Sequence, residues 1–501
     1  MTEDEIQSVL QQATLAYNKG DLAKAGSLAN RVYAMEPDNH KALYILAMVA
    51  NTAGRYPLAI TLMEQAIASL PSNPHYHFHL GSMLQGQERI AQAKKAYQES
   101  LRLKPDFYEG YLNLGSIYFA EDDVQEARRC FEMATICNPQ HVTAHFNLGI
   151  MDQERGNHDG ALRYLDRALE FGPTSANVHM ARAFSLLMLE RFREGWLEYE
   201  WRWQLENLAP RICPKPRWQG ESLEGKSIYI YTEQGFGDAI MMSRYLHVLR
   251  SQGAQVHFEC KKELYRLFSL SRLSDKLHVR LPDDGEPPPF DYDYHLPIMS
   301  LPGFLTQSLA DIPREIPYLS GAAERITYWR DRLQAFPGFK VGINWSGNPT
   351  ATANRNRACT LRDLYPLTDI PGIQFFSLQK DSPAEELRFV DRDKKIVDLS
   401  GDLEDFSETA AVLVNLDLLI STDTAVVHLA GALGVPTWTL LHTGAEWRWL
   451  AHRNDSPWYP GMRLFRQSTP RDWRSLVARV AQELREYRRE QTPVGNKDAI
   501  G

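Results

Sequence analysis

A 34-residue period runs through the first two hundred residues and narrows what they can fold into. Prolines recur at Pro37, Pro71, Pro105, Pro139 and Pro173, and alanines at Ala25, Ala59, Ala93, Ala127 and Ala161 keep the same interval. A third series of small residues runs Ala13, Ala47, Gly81, Gly115, Gly149 and Ala183. Three registers locked to one period imply a stack of like units, each too small to bury its apolar face alone. Small residues let paired helices approach closely, and each proline stops the second helix before the next unit begins. Leu114, Tyr118 and Phe131 are expected to fill the helix interface of the fourth unit.

The spacing is that of the tetratricopeptide repeat, a helix–turn–helix unit whose arrays form a superhelix with a peptide- or protein-binding groove. The motifs Tyr111–Gly115 and His145–Gly149 put Asn113 and Asn147 at one repeat position, with His79 in the equivalent place a repeat earlier. Side-chain amides there can pair with the backbone of an extended peptide, which resembles the asparagine ladder of the O-GlcNAc transferase repeats. The same side chains could instead be solvated residues of the inner face. A sixth, degenerate repeat ends in Gly195–Trp203, whose Trp196, Tyr199, Trp201 and Trp203 are too many aromatics for a solvated face. They predict a cap packed against the next domain. The array is expected to span residues 1–205, with a linker over 206–225 that includes the proline-interrupted stretch Pro210–Trp218.

The pattern then changes to alternating strands and helices. Ser227–Tyr231 reads as a strand, Thr232–Asp238 as a tight glycine-containing loop, and Ala239–Arg250 as a helix. Gln255–Cys260 and His278–Leu281 read as further strands, followed by the proline-rich stretch Pro282–Pro289. A second unit reads as strands at Lys340–Trp345, Gln374–Leu378, Ile396–Leu399, Leu416–Ile420 and Thr437–Leu441. Helices are expected at Leu361–Leu367, Pro383–Val390, Asp405–Val414, Ala425–Leu433 and Arg471–Arg489. The expected fold is an α-solenoid followed by two Rossmann-like α/β halves, over residues 226–336 and 337–490, with a disordered tail at 491–501.

Composition excludes several classes. A net charge of −8 argues against a general nucleic-acid binder. No apolar run is long enough to span a membrane, and the acidic N-terminus lacks a secretion signal. Five scattered cysteines without a CxxC pair fit free thiols and a cytoplasmic location, with no metal site expected.

The chemistry is expected where strands end and helices begin. Ser421, Thr422, Asp423 and Thr424 follow a buried strand and precede the helix Ala425–Leu433, whose first turn offers unpaired N–H groups to an anion. Ser421, Thr422 or Asp423 could equally cap the helix. Gln234, Gly235 and Gly237 form the loop after the first strand. It is not a complete dinucleotide fingerprint, because Ile240 occupies the place of the third glycine. Sequences for a Walker loop, a nucleophile elbow and a HExxH zinc motif do not occur.

Gly237-Asp238, Ser421–Gly434, Trp345–Pro349, Asn354–Arg357 and Phe376–Asp381, with the C-terminal WRWL and DSPWYPGMRLFRQ stretches, resemble glycosyltransferase family 9, heptosyltransferase-like enzymes of GT-B fold. The resemblance covers about residues 217 to 470. It implies a metal-independent, inverting transfer from a nucleotide-sugar donor, with no cofactor. Asp238 matches the catalytic aspartate that takes the acceptor proton, a role compatible with a helix N-cap. Thr422, Asp423 and Thr424 match the donor-contacting motif, and Arg355 or Arg357 matches the basic residue for the diphosphate. Gln379 and Lys380 fall where base or ribose contacts are expected. His428, one turn into the helix, either packs or reaches ligand, and Trp447 and Trp449 either close the cleft or belong to the core. The repeat array shifts the implied acceptor from a lipopolysaccharide or other surface glycan to Ser or Thr of a recruited protein, flagellin among them by resemblance. An inactive GT-B scaffold is the non-enzymatic alternative.

Overall fold

The computed structural model describes residues 1–206, 210–279, 287–350, 354–389 and 396–491. The chain divides into two compact units, residues 1–151 with 163–175, and residues 152–162 with 176–501.

The first unit is built from helix pairs set by the period. Glu3–Asn18 pairs with Leu22–Tyr33, His40–Thr52 with Tyr56–Ser69, Pro74–Gly86 with Ile90–Leu103, and Tyr108–Ala120 with Val124–Cys137. The periodic prolines stand just beyond the ends of the second helices. The small-residue series has a steric cause. A Cβ on Gly81 would lie 2.8 Å from the Tyr97 ring, and one on Gly115 would lie 2.8 Å from the Phe131 ring. Ala25, Ala59, Ala93 and Ala127 are fully buried at the matching positions of the second helices.

The second unit contains the last helix pair, Ala176–Met188 and Phe192–Tyr199, and two parallel sheets. The first sheet comprises β1 (Ser227–Tyr231), β2 (Gln255–Cys260), β3 (Lys276–Val279) and β4 (Tyr294–Pro297), in the order β3-β2-β1-β4. The second comprises β5 (Phe339–Asn344), β6 (Ile373–Ser377), β7 (Ile396–Asp398), β8 (Leu418–Thr422), β9 (Thr437–Leu441) and β10 (Met462–Arg466). Its order, β10-β9-β8-β5-β6-β7, is the doubly wound arrangement in which the connections reverse direction between the first and fourth strands. Both are parallel sheets of Rossmann type, so the second unit has the two-half GT-B architecture. Val341, Ile343, Leu418 and Ile420 from the central strands of the second sheet share one core, into which Leu476, Val480 and Leu484 of the long helix Trp473–Gln491 pack.

Several elements differ from expectation, each for a local reason. β8 runs to Thr422 instead of stopping at Ile420, because its pairing with β5 sets Asn344 opposite Ser421. Ser421 and Thr422 are therefore buried in the sheet, and only Asp423 and Thr424 form the tip. The helix expected at Ala239–Arg250 is two helices, Phe236–Met242 and Tyr245–Ser251, the first opening at Gly235, whose N–H binds the Asp238 carboxylate. Leu361–Leu367 is a 3-10 turn, Leu361–Leu364, followed by a short helix Tyr365–Thr368 whose first turn carries Pro366. Ser382–Phe389 is a 3-10 stretch where an α-helix was expected to reach Val390, which lies outside the described residues. β3 begins at Lys276, two residues before the expected His278. β4 and β10 were not foreseen. The end of the expected strand at His278–Leu281, most of the proline-rich loop, and the tail from 492 also lie outside the described residues.

The stretch Arg211–Trp218 is more than a tether. The Trp218 N–H donates to the His295 carbonyl at 3.0 Å, and Arg211 pairs with the buried Glu259. Glu259 also accepts from the Tyr229 hydroxyl at 2.8 Å, so this acid near the end of β2 is engaged inside the fold.

Candidate functional site

The second sheet reverses its connections between β5 and β8, and ligands of such sheets bind beyond the carboxyl ends of the strands at that point. A cavity of about 640 Å³ lies there, lined from one side by Asp423, Thr424, Ala425, His428, Gly347, Asn348 and Arg357. Gln234 to Asp238, from the turn after β1, line it from the other half. Met180, Phe184 and Tyr199 of the last helix pair form a third wall.

Asp238 sits in the first turn of its helix. Its Oδ2 accepts the Gly235 N–H at 3.1 Å, so capping and cavity exposure coexist. Its Oδ1 accepts the Arg448 Nε–H at 3.0 Å and a second bond from Nη2 of the same guanidinium. Burial alone would raise the Asp238 pKa, but the Arg448 charge outweighs it and holds the carboxyl below its usual value. Arg448 also pairs with Glu446, whose other oxygen accepts from Arg357 at 3.3 Å. Gln234 is fixed by Tyr199. Its amide N–H donates to the Tyr199 hydroxyl at 2.8 Å.

On the opposite side, Thr424 occupies the N-cap position of Ala425–Leu433, but its side chain caps no helix N–H. Its hydroxyl lies 3.3 Å from Ser421 Oγ instead. Simple capping by the Ser421–Thr424 tip therefore does not account for it. Asp423 is buried with Oδ2 unpartnered, and Thr422 Oγ1 is likewise a buried hydroxyl without a partner. Buried polar oxygens are ordinarily satisfied, so these two invite a ligand's donors or an ordered water. His428 packs and lines the cavity together. Its ring stacks on Trp449 with centroids 5.1 Å apart, Nδ1 lies 3.1 Å from the Tyr459 hydroxyl, and Nε2 is 3.9 Å from Asp423. Burial pushes its pKa down to about 4, leaving a neutral imidazole. Trp447 lines the cavity and packs on Trp196, whereas Trp449 belongs to the core.

The remaining expected residues separate. Gln379 is buried and its amide is taken up by the backbone. Its Oε1 accepts from Trp345 and Ser346, and its Nε2–H donates to the carbonyls of Ser346 and Lys380. It braces the loop carrying Gly347 and does not reach the cavity as a base ligand. Lys380 is anchored on the Leu403 carbonyl, also away from the cavity lining. Of the two arginines, Arg357 lines the cavity, and the side chain of Arg355 lies outside the described residues. In the first unit, Asn113 donates to the Tyr97 hydroxyl at 3.1 Å, and His79 packs half-buried against Tyr44 with ring centroids 5.5 Å apart. Asn147 is half-buried on its helix. Arg448 and Glu446 had no assigned role from the sequence and Tyr199 was expected only in the cap, because their places at the cavity depend on contacts between distant segments.

Tetratricopeptide models match residues 10–74, 79–140 and 114–184, and the model of glycosyltransferase family 9 (heptosyltransferase) matches residues 371–454. The chain joins a tetratricopeptide array to a family 9 glycosyltransferase domain. The family 9 match encloses Asp423, His428, Glu446 and Arg448 and ends outside the half that carries Asp238. Protein FlbA of Caulobacter vibrioides is similar over 540 aligned residues at 26% identity, covering 95% of this chain and 89% of that protein. Among solved structures, MamA aligns at 22% identity and a TM-score of 0.31 over 33% of this chain and 96% of its own. Pseudomonas aeruginosa pilF aligns at 21% identity and 0.35 over 40% and 97%. No described helix is long and apolar enough to cross a membrane.

Proposed function

We propose that the chain transfers a sugar, with inversion, from a nucleotide-sugar donor to Ser or Thr of a protein recruited by the repeats. The observation that carries this reading is the convergence of two halves on one cavity. Asp238 arrives from the turn after β1, and Asp423, with one unpartnered oxygen, arrives from the tip after β8. In the step, the acceptor hydroxyl oxygen forms a bond to the anomeric carbon and its proton passes to Asp238. The bond from that carbon to the donor phosphate breaks, and its electron pair leaves with the phosphate. Asp423 orients sugar hydroxyls by accepting their hydrogen bonds. The N-terminal turn of Ala425–Leu433 and a neighbouring guanidinium stabilise the departing charge without a metal.

The array supports the choice of a protein acceptor, since tetratricopeptide arrays bind peptides, and flagellin is a candidate by resemblance. Asp238→Asn is isosteric and keeps the Gly235 contact, so the variant is expected to bind donor while transfer falls at least about a hundredfold. Co-expression of the chain with candidate acceptors, a set of nucleotide sugars and intact-mass measurement tests the reading. A sugar-sized mass increase on a protein, lost with Asp238→Asn, is the expected result. Unchanged transfer by Asp238→Asn would remove Asp238 from the base role, and full-rate modification of a free glycan would remove the protein acceptor.

A further inference from the structure

A chain of charges crosses the cavity and joins its two halves. Arg448 binds Asp238 through Nε and Nη2 and Glu446 through Nη1, and Glu446 binds Arg357. Both Asp238 oxygens are engaged, Oδ1 by Arg448 and Oδ2 by the Gly235 N–H. Three of the four acceptor positions of that carboxylate are taken, and the Arg448 charge holds down its basicity, so it becomes the stronger and more open base when a partner leaves. The Gly235 amide belongs to Asp238's own helical turn and moves with it. Arg448 comes from the other half, 210 residues away in sequence, and is the partner that can leave.

The charge balance of the cavity points the same way. Among its described lining residues, Asp238, Asp423 and Glu446 face Lys261, Arg357 and Arg448. Each of the two arginines is engaged by a carboxylate. Among these described lining residues an entering phosphate therefore finds no uncommitted guanidinium and has to draw one from a carboxylate. A planar guanidinium grips phosphate through paired N–H groups as readily as it grips a carboxylate. Resting on the reading of this cavity as a sugar-nucleotide site, we propose that Arg448 is a ligand of the donor phosphate, and that its passage from Asp238 to that phosphate frees Asp238 to act as base. Donor arrival and activation of the base are then one event. Without donor the base stays clamped.

The consequence is competition inside the protein. Removing either carboxylate that holds Arg448 releases the guanidinium for phosphate, so Asp238→Asn and Glu446→Gln should each bind nucleotide more tightly, by about threefold or more. Arg448→Gln should weaken binding at least about tenfold, Arg448→Lys should recover part of it, and Asp238→Asn should bring no gain once Arg448 is Gln. The measurement is calorimetric titration of the full chain with UDP, GDP, ADP, dTDP and CMP. The CMP arm separates a monophosphate leaving group from a diphosphate one. If the wild-type chain binds none of the five, the sugar-nucleotide reading falls and this inference with it. If wild type binds one but neither Asp238→Asn nor Glu446→Gln binds it more tightly, or Arg448→Gln binds it equally well, the inference alone is overturned.

Discussion

A Cβ built on Gly237 would lie 2.9 Å from Cδ2 of His428, so the helix bearing Asp238 and the helix behind Asp423 meet where only glycine fits. His428 has little room to yield, being stacked on Trp449 and held at Tyr459. Gly237→Ala therefore has to part the two helices. Overpacking of this kind costs about 1–3 kcal/mol, and a shift of about 1 Å at a reacting group costs on the order of a hundredfold in rate. The expected result is a modest fall in unfolding free energy with a much larger fall in kcat. Denaturant unfolding and steady-state transfer rates check both.

His428 also predicts a pH signature. Burial, aided by Arg448 and opposed by Asp423, pushes its pKa from 6.5 to about 4 in the folded chain. Between those values the unfolded chain binds the proton and the folded chain does not, so stability from this group is present above pH 6.5 and is lost as pH falls toward 4. The loss is about 3 kcal/mol at its fullest. His428→Gln keeps a polar partner for Tyr459 and removes the titration. The stability difference between wild type and variant should shrink by that amount across the window. Unfolding free energies measured at several pH values read it directly, and a constant difference would assign the acid sensitivity elsewhere.

The repeats were legible because each helix pair restates its own packing chemistry, so Gly81 against Tyr97 and Gly115 against Phe131 recur at one interval. Central strands were legible for a different reason. β8 and β9 are buried throughout and read as apolar runs. β4 and β10 were missed, and both lie at sheet edges, where one neighbour suffices. β4 ends in Pro297, and β10 alternates exposed Arg463 with buried Leu464. At the site, Asp238 and Asp423 stand in recognisable turns, whereas Arg448 meets Asp238, 210 residues away, only once the chain has folded. Gln379 misled in the opposite sense. A polar residue just after a strand suggests a ligand contact, but its amide turns back to hold Trp345 and Ser346.

The same steric rule predicts the fate of the array. Gly115→Val would set a side chain against Phe131 at 2.8 Å and the Cys130 Cβ at 3.1 Å, both from the partner helix of the pair. Relief from glycine's poor helix propensity is worth less than about 1 kcal/mol, while overpacking costs about 1–3 kcal/mol, so the variant should be less stable. Neighbouring pairs support one another in such arrays, and the loss should be strongest locally. Hydrogen exchange should quicken first between Tyr108 and Cys137. Protection there equal to wild type would mean that the pair can open to admit the side chain.

Arg202, in the 3-10 turn that follows the last helix pair, ties that pair to the half that carries Asp238. It is fully buried and donates to Glu200 at 2.8 Å, to Ser300 at 2.7 Å and to Glu233 at 3.2 Å, and Glu233 stands at the start of the loop that ends in Asp238. Burial pushes the Glu233 pKa up to about 7 even against the pull of Arg202, and its Oε2 has no hydrogen-bond partner. Arg202→Met would fill similar volume and strip Glu233 of its cation, at a cost of about 3–5 kcal/mol for breaking a buried pair. The Glu233 pKa should then rise further. A raised carboxyl pKa gives a contribution that is fully present at low pH and is lost as pH climbs to the folded value; wild type and variant lose it alike up to about pH 7, so the deficit of Arg202→Met should stay level to about pH 7 and widen from there to about pH 9. Adding Glu233→Gln removes the stranded charge and should recover much of the loss. A double-mutant cycle of unfolding free energies at both ends of that range measures the coupling, and additive effects at every pH would show that Arg202 acts through Glu200 and Ser300 alone.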